Sequence, residues 1–279
     1  MLALSTGTLH NYGLDRVFAL AREAGFQGIE VIVDARWDTR QRGYLDSLRQ
    51  RHGLPIVSLH APFLPGIQGW NNDPVANLKN TVQLAADLQV GIVVCHVPMR
   101  WHWLSIDSSL LRRRVRAPIL WPRWHSERAR SLAAVRELAR PNVAVLLENM
   151  PASLFLGIRY GLYAPNRLQE LAKLGDLVLD TTHVGTWGWD LMEVYEQLKP
   201  RVRHVHLSDY NGHEHIPPGK GSLPLAAFLR ALAIDGYGGS IVVESGPEHF
   251  SPNDEKQLVA GLKACVDYCQ THFRKEVVV

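Results

Sequence analysis

Ile92-Val93-Val94-Cys95-His96 is a run of four apolar residues closed by an imidazole. A short apolar run of this kind reads as a strand buried in a parallel sheet, with its one polar residue at the C-terminal end. Five further runs repeat the plan, each ending on side chains able to bind a metal ion. They are Ser58-Leu59-His60, Leu147-Glu148-Asn149, Leu179-Asp180-Thr181-Thr182-His183, His204-Val205-His206 and Val243-Glu244-Ser245. In a closed parallel β/α barrel every strand opens its C-terminal end on the same face, so residues far apart in sequence converge there. Carboxylates and imidazoles gathered in one pocket have the donor chemistry of a divalent-metal site.

The rest of the chain alternates in step with these runs. Strands are expected at Leu2–Thr6, Gly28–Val33, Ile56–His60, Ile92–His96, Val143–Asn149, Leu177–Asp180, Val202–Ser208 and Ser240–Glu244. Helices are expected at about Leu14–Ala24, Tyr44–His52, Val75–Leu88, Ser126–Ala139, Arg167–Leu174, Leu191–Leu198, Leu225–Ala233 and Glu255–His272. Eight β/α units in 279 residues, without a linker or low-complexity stretch, predict one (β/α)8 barrel domain over 1–279. An open doubly wound sheet fits less well, because Ser5-Thr6-Gly7-Thr8-Leu9-His10 lacks the glycine fingerprint expected after its first strand. Alternation along a strand puts Ser58 with His60, His204 with His206, and Val242 with Glu244 on shared faces.

A composition of 46% hydrophobic and 20% charged residues describes a globular chain with ample core. No apolar run nears the roughly 20 residues that span a bilayer. Met1-Leu2-Ala3-Leu4-Ser5-Thr6 reads as a first strand rather than a signal segment. Three cysteines (Cys95, Cys265, Cys269) do not suggest a disulfide framework, so a reduced, cytoplasmic setting is expected. The formal charge of +3 is uneven. Seven arginines (Arg100, Arg112, Arg113, Arg114, Arg116, Arg123, Arg128) against Asp107 and Glu127 give one segment an excess of +5 and leave the remainder at −2. A general polyanion-binding surface is therefore not expected.

The ordered set His60, His96, Glu148, Asp180-x-x-His183, His206 and Glu244 resembles the xylose isomerase-like TIM-barrel superfamily, which holds sugar isomerases and epimerases together with apurinic endonucleases. The resemblance runs from Leu2 to about Tyr268. Supporting stretches are Ala24-Gly25-Phe26-Gln27-Gly28-Ile29-Glu30, His60-Ala61-Pro62-Phe63, Pro218-Gly219-Lys220-Gly221 and Gly236-Tyr237-Gly238-Gly239-Ser240-Ile241-Val242-Val243-Glu244. It implies a divalent cation (Mn²⁺, Zn²⁺, Mg²⁺ or Co²⁺) held by Glu148, Asp180, His206 and Glu244. It also implies a sugar or sugar-phosphate isomerase or epimerase, in which the cation stabilises an enediolate while Glu148 and Glu244 act as the acid/base pair. Isolated buried glutamates more often pair with arginine or histidine. His60, His96 and His183 are expected to position substrate or the ligating carboxylates.

The same resemblance carries a rival, a zinc phosphodiester hydrolase of the apurinic endonuclease type, with nucleic acid as partner. There a loop aspartate and a histidine two residues on bind a further zinc. Here His213 stands at the aspartate position and His215 matches. A third reading is a dehydratase or lyase of a small hydroxy acid. Lys220 could meet a substrate phosphate or carboxylate, or remain a solvated loop residue. An insertion at about 98–125, with Trp101, Trp103, Trp121 and Trp124, follows strand four. It could close over a sugar ring, bind single-stranded nucleic acid, or serve as a subunit contact. Small barrels of this kind often pair, so a homodimer is an expectation.

Overall fold

Eight parallel strands close on themselves in the computed structural model, which describes the chain apart from residues 65, 71–72, 100–101, 109–112, 120–123, 156, 252 and 275–279. The barrel strands are β1 (Leu2–Ser5), β2 (Gly28–Ile32), β3 (Ile56–His60) and β4 (Ile92–His96), then β7 (Ala144–Glu148), β10 (Leu177–Asp180), β11 (Val202–Leu207) and β12 (Ser240–Val243). They neighbour one another in chain order, and β12 returns to pair with β1. This is a (β/α)8 TIM barrel.

The helices are α1 (Leu14–Ala24), α2 (Arg42–His52), α3 (Pro74–Leu88), α4 (Trp124–Leu138), α5 (Leu168–Leu171), α6 (Thr181–Trp187), α7 (Leu191–Leu198), α8 (Leu225–Ile234) and α9 (Glu255–His272). Their sequences explain their packing. In α1, Leu14, Val17, Phe18, Ala21 and Ala24 recur at helical spacing and are buried. Gly25 then ends the helix at φ 96°, a left-handed conformation that glycine adopts without steric cost. Asp73 caps α3 by accepting the Ala76 N–H, with Pro74 in the first turn. These apolar faces and the outward residues of the strands form one large core between barrel wall and helices. Inside the barrel, Val94, Leu146 and Val178 form a separate apolar layer two residues below His96, Glu148 and Asp180. These three side chains thus stand on an apolar floor.

Three features depart from the sequence expectation. The helix expected over Arg167–Leu174 is a single turn, Leu168–Leu171, with only Leu171 of its residues buried. A helix not expected, α6, starts immediately after β10. The β-branched Thr181 and Thr182 suggest strand, but the Asp180 side chain accepts the His183 N–H and starts a helix there. The segment after β7 forms an antiparallel hairpin of β8 (Ala152–Phe155) and β9 (Ile158–Gly161).

Within the arginine- and tryptophan-rich insertion, β5 (His102–Ser108) and β6 (Arg113–Ile119) pair antiparallel, His102 opposite Ile119. Trp103, Arg113, Arg114 and Arg116 lie on these strands, and Trp124 opens α4. Arg100, Trp101, Arg112, Trp121 and Arg123 lie outside the described residues. All three cysteines are free and buried. Among the described residues no helix is long and apolar enough to cross a membrane.

Candidate metal centre

Four consecutive barrel strands supply one cluster: Glu148 from β7, Asp180 from β10, His206 from β11 and Glu244 just past β12. Each offers an atom lying within 4.8 Å of the atoms offered by the other three. His206 Nδ1 is central, 2.9 Å from Glu244 Oε2, 3.1 Å from Glu148 Oε1 and 3.9 Å from Asp180 Oδ2. The Glu148, Asp180 and His206 side chains are buried, while Glu244 is 18% exposed and faces the opening.

Asp180 is held by more than its own strand. Its N–H donates to Asn149 Oδ1 (2.8 Å) and its carbonyl accepts from Asn149 Nδ2 (3.0 Å). Asp180 Oδ1 is engaged as the cap of α6, accepting the His183 N–H at 2.9 Å. Asp180 Oδ2 is buried and has no hydrogen-bond partner among the described residues. A buried carboxylate oxygen left unpaired is costly unless something meets it. Three carboxylates and one imidazole around such an atom fit a hard or borderline divalent cation. Asn149→Ala strips both contacts from the Asp180 backbone. Each buried group left unpaired is expected to cost about 1–3 kcal/mol of stability. Urea denaturation would measure it, and a total loss under about 0.5 kcal/mol, the size of an ordinary surface substitution, would contradict the clamp.

Glu148 is ringed by imidazoles. His60 Nε2 and His96 Nε2 each lie 3.3 Å from Oε2, and His183 Nδ1 lies 3.5 Å from Oε1. Burial alone would raise its pKa, but His206, His60 and His96 outweigh burial and hold the carboxyl well below its usual range. Glu244 is lowered too, burial again opposing and His206 prevailing. Asp180 goes the other way, pushed up by burial and by the neighbouring Glu148 charge.

His206 itself is raised well above an ordinary imidazole. Burial opposes this, but Glu30, Glu244 and Glu148 favour the cation. A raised folded pKa adds stability that is complete below the about 6.5 of a free imidazole and is lost as pH rises through the folded value. Chelator-treated protein is therefore expected to lose thermal stability from near neutrality upward, and manganese-loaded protein to be spared that loss. A chelator-treated protein with a flat melting profile over that range would contradict this reading.

His183 and His215 stand beside the cluster. His183 Nδ1 donates to the Asn149 carbonyl at 2.8 Å and His215 Nδ1 to the Glu244 carbonyl at 3.2 Å. In the neutral form of each ring, Nε2 is then the nitrogen left to accept. His215 has φ 56°, uncommon outside glycine. The carboxylate that lies with them is Glu214, not a group from His213: His183, Glu214 and His215 form a second ligand-capable group, and His60, His96 and Glu148 a third. A site of His183, His213 and His215, as the endonuclease resemblance implies, is not assembled.

His213 and Lys220 instead line a cavity of about 540 Å³ walled by Tyr268, Phe250 and Cys265. The Pro218-Gly219-Lys220-Gly221 stretch is folded around the buried Asp209, whose carboxylate accepts the N–H groups of Gly219, Gly221 and Leu223. A Cβ at Gly221 would sit 2.5 Å from Asp209 Oδ1, so this approach requires glycine.

Three residues not singled out as site residues from the sequence contact the side chains at the mouth. Phe63 stacks on His96 with centroids 4.8 Å apart, and Tyr163 meets the edge of the same ring at 6.3 Å. Glu30, on β2, reaches His206 from below. Phe63 and Glu30 lie within stretches that carry the family resemblance, whereas nothing in the sequence around Tyr163 marks it.

The family model described as a xylose isomerase-like TIM barrel matches residues 18–269. The chain belongs to this family. An uncharacterized protein of Mycobacterium tuberculosis is 26% identical over 294 residues, covering 97% of each chain. A D-psicose 3-epimerase of Enterocloster bolteae is 29% identical over 128 residues, 42% of this chain and 40% of its own. Among solved structures, a 3-keto-D-glucoside 4-epimerase from E. coli superposes with a TM-score of 0.70 at 16% identity, covering 97% of this chain and 98% of that one. An AP endonuclease of family 2 from Brucella melitensis gives 0.67 at 17% identity, covering 96% and 98%. Epimerase and endonuclease share the barrel, so the fold alone does not choose the reaction.

Proposed function

We infer that the protein is a sugar or sugar-phosphate isomerase or epimerase working with one divalent cation held by Glu148, Asp180, His206 and Glu244. The observation that supports this most is the placement of Glu148 and Glu244 at the two ends of the four-strand arc, so that a substrate above Asp180 and His206 would have a carboxylate on either side. A cation bound there supplies charge withdrawal from neighbouring carbonyl and hydroxyl oxygens, which acidifies the C–H between them.

The side chains do the rest. One of the two glutamates takes the proton and the other returns it from the opposite side. In the metal-free protein His206, His60 and His96 keep Glu148 ionised, and a cation bound beside it would favour the same state. The free Nε2 atoms of His183 and His215 accept hydrogen bonds from substrate hydroxyls. Phe63 and Tyr163 give one side of the mouth an aromatic wall suited to a sugar face. Incubating the manganese-loaded protein with a panel of ketoses and ketose phosphates in D₂O tests the reading. Proton NMR should show deuterium entering at the carbon next to the carbonyl for at least one of them. No exchange across the panel would count against it.

The zinc phosphodiester hydrolase is the second reading. What favours it is that His183, Glu214 and His215 restore a carboxylate to the group in which His213 stands at the aspartate position. Against it, a full set of three ions would crowd dications around few balancing charges.

A further inference from the structure

Below the candidate metal centre lies a buried carboxylate to which the proposed reaction gives no task. Glu30 is fully buried on β2, and its side chain crosses the barrel interior to β11. His206 Nε2 sits 3.0 Å from Glu30 Oε1 and 3.2 Å from Oε2, while Nδ1 of the same ring faces Glu244 and Glu148. Glu30 is itself fixed from two sides: the Ser58 hydroxyl donates to Oε2 at 2.7 Å, and His204 Nε2 lies 2.9 Å from that oxygen. Ser58 stands opposite Glu30 in the β2–β3 register.

A charge in this place is not explained by packing. The facing part of the interior is filled by Val94, Leu146 and Val178 without polar atoms. Apolar residues of similar volume usually serve stability as well as a buried ion pair does. The carboxylate has a use if His206 binds a cation through Nδ1. A neutral imidazole has one N–H; with Nδ1 coordinated, that proton must sit on Nε2 and needs an acceptor there.

We propose that Glu30 is a positioning residue, which accepts the Nε2–H of His206 and so fixes the tautomer and ring orientation that aim the Nδ1 lone pair at the point shared by Glu148, Asp180 and Glu244. The proposal rests on the metal reading of that cluster. Ser58 and His204 hold Glu30 in turn, so the support runs from Ser58 and His204 through Glu30 to His206 and, through His206, to the ion.

Two measurements test it. Zinc-loaded, unaltered protein with ¹⁵N-labelled histidine should show His206 protonated at Nε2 and bonded to zinc through Nδ1. The opposite tautomer would overturn the proposal, whatever the variants do. Cobalt(II) affinity is then measured by competition with a chelator for the unaltered protein, Glu30→Leu and Glu30→Gln, each first shown to be folded by circular dichroism. Glu30→Leu is expected to bind about 10–100-fold more weakly with an altered visible cobalt spectrum. Glu30→Gln, whose amide oxygen can still accept the Nε2–H, should recover most of that loss. A folded Glu30→Leu with unaltered affinity and spectrum would defeat the proposal, as would equal weakening in both variants. If the unaltered protein takes up neither zinc nor cobalt, the metal reading fails and this proposal with it. Tight binding by all three proteins would sink this proposal alone.

Discussion

Glu148→Gln and Glu244→Gln are each expected to abolish solvent-proton exchange at the carbon beside the substrate carbonyl while leaving the barrel folded. General acid–base catalysis contributes about 10²–10⁴-fold, so each variant should lose turnover on that scale. The two should differ in a second respect. Glu148 is buried among His60, His96, His183 and His206, and replacing its charge leaves those imidazoles without their shared partner. Glu244 is partly exposed and contacts His206 alone among them. Glu148→Gln should therefore cost thermal stability as well as exchange, whereas Glu244→Gln should cost mainly exchange. Proton NMR in D₂O and a melting curve separate the two effects. Exchange at the unaltered rate in either variant would remove that glutamate from the acid/base pair.

Asp180→Asn is the other substitution with a large expected effect. Asn still caps α6 through its side-chain oxygen, so the helix should persist. What it loses is the charge on the unpartnered Oδ2. Losing a direct ligand should exceed the about 10–100-fold that losing a supporting partner costs in metal affinity. For the unaltered protein, manganese at 100 times its dissociation constant should add about 2.7 kcal/mol of stability. Asp180→Asn should show almost none of that stabilisation at the same concentration. A melting temperature rising with manganese equally in both proteins would exclude Asp180 as a ligand.

The strand ends were the legible part of this molecule. A parallel strand buried on both faces is mostly apolar, so a polar residue near its C-terminal end stands out, and His60, His96, Glu148, Asp180, His206 and Glu244 all lie at or next to such ends. Glu30 was not legible as a site residue, because Val31 and Ile32 follow it and place it one layer below the mouth. Its partners are on β3 and β11, and only barrel closure brings β11 within reach. The clamp of Asn149 on the Asp180 backbone depends on the pairing of β7 with β10, which no local pattern reveals. The α6 helix was masked by two β-branched threonines, although Asp180-x-x-His183 is also the spacing of a cap and the amide it accepts. In the loop after β11, spacing in the sequence favoured His213. The left-handed turn at His215 brings Glu214 to His183 instead, and such a backbone reversal has no periodic signature.

The strand-end cluster predicts one divalent cation per chain, in a barrel that moves protons on a sugar. Metal analysis of protein purified without chelators, run beside an abasic-DNA cleavage assay, tests it most directly. The expected result is close to one ion per chain, lost in Asp180→Asn, with no strand cleavage. Close to three zinc ions per chain, together with metal-dependent cleavage of abasic DNA, would contradict it and make the groups around His60 and His183 zinc sites of a phosphodiester hydrolase.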